Sequence, residues 1–237
     1  MNTGVVTNGG PNGGAKAFED ELSLAVLLQR RGYATGLFGK YLNGYKVLTP
    51  YVPPGWTKFM ATDKHVNWFD YEVTEGSSGP DSPTTGKASN QTQYLTYYFR
   101  DQALDFIDEH ADEKFFVYIT PTAPHKPATP APGDEGLFPD FEYNTPGTRE
   151  TDLSDKPTFV QDGGKKKDED DEEGNDGKEA DIDFFRNQLR SLVGVDRTIK
   201  SVVDKLEEKN LLDKTVIVFS SDNGVMWGEH GLYFKSK

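Results

Sequence analysis

Five residues have the types and settings to handle an oxyanion beside a hard cation: Lys40, His125, Asp222, Asn223 and Lys235. Lys40 closes the apolar run ATGLFGK. His125 stands in TAPHKP after a second apolar run, with Lys126 beside it. Asp222 and Asn223 follow TVIVFSS, and Lys235 comes a little later. Lysine ammonium groups would neutralise charge that develops on a tetrahedral oxyanion, and a nearby histidine could protonate a leaving oxygen. A carboxylate next to an amide offers the oxygen donors that Ca²⁺ takes. Each residue also has a plain structural reading. Lys40 could be a solvated lysine at a loop start, His125 incidental to a proline-rich loop, and Asp222-Asn223-Gly224 an ordinary turn. Glu229 and His230 in WGEHGL read as supporting residues or simple loop. His110 is accounted for by the negative end of a helix, and His65 carries no chemical signal. GLFGKY lacks the GxxxxGK[ST] spacing, which argues against a phosphate-binding P-loop.

The elements that must position these groups follow from periodicity. Met1 to Gly14 is turn material rich in Asn-Gly and Gly-Gly. Leu24, Leu27, Leu28 and Arg31 follow helical spacing, with Gly32 as the stop. A strand over Ala34 to Phe38 follows, and residues 43–92 read as loop with little regular structure. Leu95, Tyr98, Phe99, Ala103, Phe106 and Ile107 predict a helix over Gln93 to His110. Lys114 to Thr120 reads as a strand apolar on both faces and therefore buried, opening into a loop from Pro121 to Pro132. Leu189, Leu192, Val193, Ile199, Val202, Val203 and Leu206 predict one face of a long helix, and Thr215 to Phe219 a third buried strand. Three helix-then-strand units imply an α/β fold with a mostly parallel sheet flanked by helices. Ligands of such sheets bind beyond the carboxyl ends of the strands, and the candidate groups follow those ends.

The chain has 237 residues, which suits one large domain. Its 26 Lys and Arg against 39 Asp and Glu give a net charge of −13, so bulk charge argues against nucleic acid or an anionic membrane as partner. An anion would have to meet a local cationic cleft. Cysteine is absent, which excludes disulfides, thiolate metal sites and a cysteine nucleophile within these residues. No apolar run reaches the roughly 18 residues of a membrane span, and no signal peptide is visible at Met1. Residues 162–181 hold ten acids and four lysines, which reads as a disordered acidic insertion. An EF-hand there fails, because Glu173 occupies the required glycine position. Asn90-Gln91-Thr92 permits N-glycosylation.

With these residues in view, the chain resembles the sulfatase family. GYATGLFGKYLNGY (Gly32 to Tyr45) is similar to the family's second signature. KYLN with VPPGW (Val52 to Trp56) resembles the N-acetylglucosamine-6-sulfatase and heparan endosulfatase branch. APHKP (Ala123 to Pro127) is similar to the family's Pro-His-x-Pro loop, and TVIVFSSDNGVMWGEHGLYFKSK to its late metal-and-lysine block. The opening NTGVVTNGGPNGG resembles the stretch after the nucleophile signature. The resemblance implies an alkaline-phosphatase-like fold, incomplete here at both ends, across one partial catalytic domain, 1–237. It implies Ca²⁺-dependent hydrolysis of sulfate esters, with sulfated amino sugars or glycosaminoglycans as the substrate class, a sulfated carbohydrate or aryl sulfate as the partner, and a formylglycine nucleophile expected upstream of these residues. Lys40 and Lys235 would contact sulfate oxygens, His125 the sulfate or the leaving oxygen, and Asp222 and Asn223 the metal. Leu42 stands where many relatives have a histidine. The implied location is lysosomal or secreted. Alternatives are a catalytically dead relative that binds sulfated glycans, or a phosphodiesterase of the same superfamily.

Overall fold

The structure is a computed structural model that describes residues 3–62, 67–144, 146–161 and 182–235. The acidic insertion expected at 162–181, and His65, lie outside the described residues. Two compact units result: Met1–Glu135 with Gln188–Thr215, and Gly136–Asn187 with Val216–Lys237.

The first unit opens with α1 (Gly14–Ala17) and α2 (Leu24–Gln29). Strands β1 (Ala34–Lys40), β2 (Tyr51–Val52), β3 (Lys58–Thr62), β4 (Tyr71–Gly76), β5 (Thr84–Thr85) and β6 (Lys87–Gln91) follow, then helix α3 (Leu95–Glu109) and strand β7 (Phe115–Thr120). The second unit holds α4 (Thr158–Gln161), the start of α5 (Ile182–Glu208), and the pair β8 (Met226–Trp227) and β9 (Tyr233–Phe234); α5 continues into the first unit at Gln188.

The main sheet has the order β6-β4-β3-β1-β7. It is mixed: β1 runs parallel to β3 and β7, whereas β4 is antiparallel to β3 and β6. Alternation along β1 sends Phe38 to one face and Leu37 to the other. Phe38, Met60 and Val73 pack with Phe99, Ala103 and Phe106 of α3. Leu37, Phe59 and Ala61 pack with Tyr45, Val52, Trp56 and Ala25 of α2. Both faces are therefore covered, as parallel strands require. The Gly32 stop is real: its φ is +78°, and the Gly32 and Tyr33 amides donate to Gln29 and Leu28 carbonyls.

Several expectations need correction. Residues 43–92 are not loop but contribute β2 to β6. KFMAT of β3 is buried nearly throughout and KASNQ of β6 is exposed nearly throughout, so neither shows the alternation that marks a half-buried strand. β7 is only half-buried, with Tyr118 51% exposed, because it lies at the end of the sheet. Thr215 to Phe219 joins no ladder among the described residues, and Val218 is 83% exposed. A strand is made by pairing as well as by apolar composition, and that pairing is missing. On α2 the buried residues are Ala25 and Val26, with Leu24 and Leu27 exposed. On α5 they are Gln188, Ser191, Gly194, Val195, Thr198 and Leu206, while Leu192 and Ile199 are exposed. Gly194 lies against the Tyr94 and Tyr97 rings, so this helix packs through small and polar residues rather than its most apolar stripe.

Phe106 is fully buried and meets Phe38 edge to face at 5.7 Å. Phe106→Ala is expected to destabilise the first unit by about 3–5 kcal/mol, read as a lower urea midpoint with an unchanged slope.

Candidate functional site

Lys40 and His125 belong to the first unit. Gly39 pairs with Thr120 across β1 and β7, so Lys40 ends its strand beside the start of the His125 loop. Gly39 is required by this approach: its φ is +136°, and a Cβ there would lie 2.1 Å from the Thr120 carbonyl oxygen. Tyr41 fixes the chain just after Lys40, its ring edge-on to Tyr45 and Phe59. Burial, aided by the charge of Asp20, pushes the Tyr41 hydroxyl well above its ordinary range. It therefore stays neutral and acts as packing. Tyr51 donates to Asp20 at 2.6 Å, and Tyr45 donates to the Tyr51 carbonyl, completing a tyrosine cluster behind the lysine.

The His125 loop is tied down at several points. The His125 amide donates to the Thr122 carbonyl, and the Ala128 amide to the His125 carbonyl. Gln188 of α5 donates to the Pro124 carbonyl at 2.9 Å, and the Tyr94 hydroxyl to the Thr129 carbonyl at 2.9 Å. Past the loop, Asp134 is buried and accepts a two-pronged pair from Arg197, at 2.5 and 2.7 Å. The planar guanidinium is suited to such a carboxylate pair. His125 Nδ1 lies 2.9 Å from the Lys126 carbonyl. A carbonyl only accepts, so Nδ1 donates in this contact.

Asp222, Asn223 and Lys235 belong to the second unit. All three are exposed. Ser221 Oγ donates to the Asn223 carbonyl at 2.6 Å, and Asn223 Nδ2 to the Gly224 carbonyl at 2.9 Å, which leaves the amide oxygen as the outward acceptor. Asp222 and Asn223 are thus chemically suited to a hard cation, but they form only part of a shell that for Ca²⁺ takes six to eight oxygens. Among the described residues, no group of three or more His, Asp or Glu side chains is arranged to hold a metal ion.

The turn between β8 and β9 carries Glu229 and His230 and precedes Lys235. Trp227 is buried against Phe184 and Phe185, with ring centroids 5.5 and 4.5 Å away. Its amide donates to Glu229 at 2.6 Å, and the Tyr143 hydroxyl donates to the same carboxylate. His230 has φ +54°, a conformation that costs a non-glycine residue about 1–2 kcal/mol. Its Nδ1 meets Glu150, which also pairs with Lys156 at 2.8 Å. Lys156 first, and His230 second, hold the Glu150 carboxyl below the usual carboxylate range. Sequence reasoning passed over Glu150, Tyr143, Asp134 and Arg197. Their partners are remote in the chain, and no spacing rule links them.

Gly39→Ala is expected to force β1 and β7 apart at the Lys40 end. It should lower the unfolding midpoint and shift the Lys40 and Thr120 amide resonances more than those at the Ala34 end of the same strands. Glu150's depressed value means that its anchorage is present at neutral pH and is lost as pH falls through that lowered value. An acid titration of the Trp227 indole resonance should show this step, and Glu150→Gln should abolish it. An unchanged step in the variant would remove Glu150 from the account.

The sulfatase family model matches residues 1–237. A Caenorhabditis elegans protein named as an extracellular sulfatase Sulf-1 homolog is 31% identical over 219 residues, covering 90% of this chain and 29% of that protein. The N-acetylglucosamine-6-sulfatase of Capra hircus is 28% identical over 228 residues, covering 88% of this chain and 36% of the relative. The chain thus spans about a third of the length of these relatives. Among solved structures, a protein in complex with its substrate D-glucosamine-2-N,6-O-disulfate superposes with a TM-score of 0.60 at 21% identity, covering 92% of this chain and 53% of that one. That likeness establishes the fold.

Proposed function

Since the chain belongs to the sulfatase family, we propose that the complete protein hydrolyses sulfate esters, with sulfated amino sugars or glycosaminoglycans as the substrate class. The observation that carries this reading is the juxtaposition of the β1 and β7 ends, which presents Lys40 and His125 on one rim of the sheet. There an ammonium group can meet sulfate oxygens, and His125 Nε2 can hold the proton that the leaving oxygen takes. In the second unit, Lys235 would meet sulfate oxygens as a cation, and Asp222 and Asn223 would give two oxygen donors to Ca²⁺. When bound, Ca²⁺ polarises the sulfate. The remaining donors and the formylglycine nucleophile are assigned to the complete protein, because these residues contain no cysteine. We propose a lysosomal or extracellular location, and the name of the Caenorhabditis elegans relative supports the extracellular one. Among the described residues no helix is long and apolar enough to cross a membrane.

The test uses the complete protein with an aryl sulfate and a 6-O-sulfated glucosamine. Lys40→Ala and Lys235→Ala should each lower kcat/KM by about 10²–10³-fold, the scale of losing one group that stabilises developing charge. Asp222→Ala and Asn223→Ala should weaken Ca²⁺ binding, measured directly by calorimetry. Preference for a phosphate diester over both sulfate esters would reject the assignment, as would full turnover in the Lys40 variant.

A further inference from the structure

We propose that Asn90 is a modification site carrying an N-linked oligosaccharide on the open edge of the first unit's sheet. Asn90-Gln91-Thr92 has the acceptor pattern, with a residue other than proline at its centre. The structure adds reasons that the pattern alone lacks. Among the described residues, β6 is the terminal strand of the sheet and pairs only with β4. Lys87, Ala88, Ser89, Asn90 and Thr92 are all exposed. Asn90 lies opposite Glu72, whose neighbours Tyr71 and Val73 turn into the core beside α3. Alternation therefore places Asn90 on the face of the sheet away from α3. Its side chain makes no hydrogen bond to the described residues. A bulky polar group at its Nδ2 would thus displace no packed or bonded neighbour.

The chemistry is an amide glycosylation. Asn90 Nδ2 attacks the anomeric carbon of a polyprenyl-diphosphate-linked oligosaccharide. A C–N bond forms, the sugar–phosphate C–O bond breaks with its electron pair going to the leaving diphosphate, and the amide gives up one proton. The modification also has a physical use. Among the described residues, the outer edge of β6 has no strand beside it, and such an edge is a template for pairing with another chain. Lys87 already places a charge on this edge, and a glycan at Asn90 would cover the rest.

This inference rests on the secretory location proposed above and not on which ester is cleaved. The complete protein is isolated from its own source, and peptide mass spectrometry is run across residues 87–93 before and after amidase treatment. The expected result is a glycopeptide whose sugar mass is lost as Asn90 becomes Asp. Expressed in a eukaryotic secretory host, Thr92→Ser should retain the sugar, while Thr92→Ala and Asn90→Gln should lose it and self-associate more at equal concentration. An unmodified Asn90 in protein recovered from a lysosome or from outside the cell overturns the inference and leaves the location intact. Recovery of the protein from the cytosol overturns both, and turnover of sulfate esters is unaffected by either outcome.

Discussion

The parallel pairing of β1 with β3 on one side and β7 on the other is the constraint from which the first unit follows. Parallel strands end on the same rim, so whatever follows them converges there. The pairing also forces the backbones of Gly39 and Thr120 so close that no side chain fits between them. Lys40 is therefore placed by a glycine that packs, not by a glycine that merely bends. The two-faced burial of β1 makes this local geometry stiff, because Leu37 and Phe38 anchor it in opposite layers of core.

The candidate residues beyond β1 lie on segments with little regular structure, and the His125 loop and the turn before Lys235 are each pinned by contacts remote in the chain. The His125 loop is held by α5 through Gln188 and by Tyr94, and the chain just beyond it by the Arg197–Asp134 pair. In the second unit, an aromatic cluster around Trp227 and the Glu150–Lys156–His230 contacts do the same for the turn before Lys235. The common design is a loop bearing one cation or imidazole, with its backbone carbonyls and flanking carboxylates consumed by structural partners. Such preorganisation keeps a charged side chain in place without burying the charge itself.

How much of this could be read from the sequence varied with the kind of signal. The helix around Phe99 and Phe106 was legible because its apolar spacing is strong and its burial matches it. The strands between Tyr51 and Gln91 were not legible. β3 is buried on both sides, β6 is polar on both, and the two-residue strands are too short to show a period. α5 misled in the other direction: its apolar stripe is visible, yet the packed side is the one with Gly194, Ser191 and Thr198, where rings need room.

The sequence by itself determined the family and the α/β class, and it nominated Lys40, His125, Asp222, Asn223 and Lys235 as candidates. Those depend on residue types in a fixed order, which survives without coordinates. Tertiary structure alone decided that β1 and β7 are neighbours, that Asp134 is buried beneath Arg197, that Glu150 reaches His230, and that Asn90 stands on an outer strand. It also decided that TVIVF stays unpaired among the described residues. Each of these joins residues distant in the chain, or turns on which strand lies next to which. Local propensity carries no information about such partners, since pairing and burial are fixed only when the whole sheet assembles.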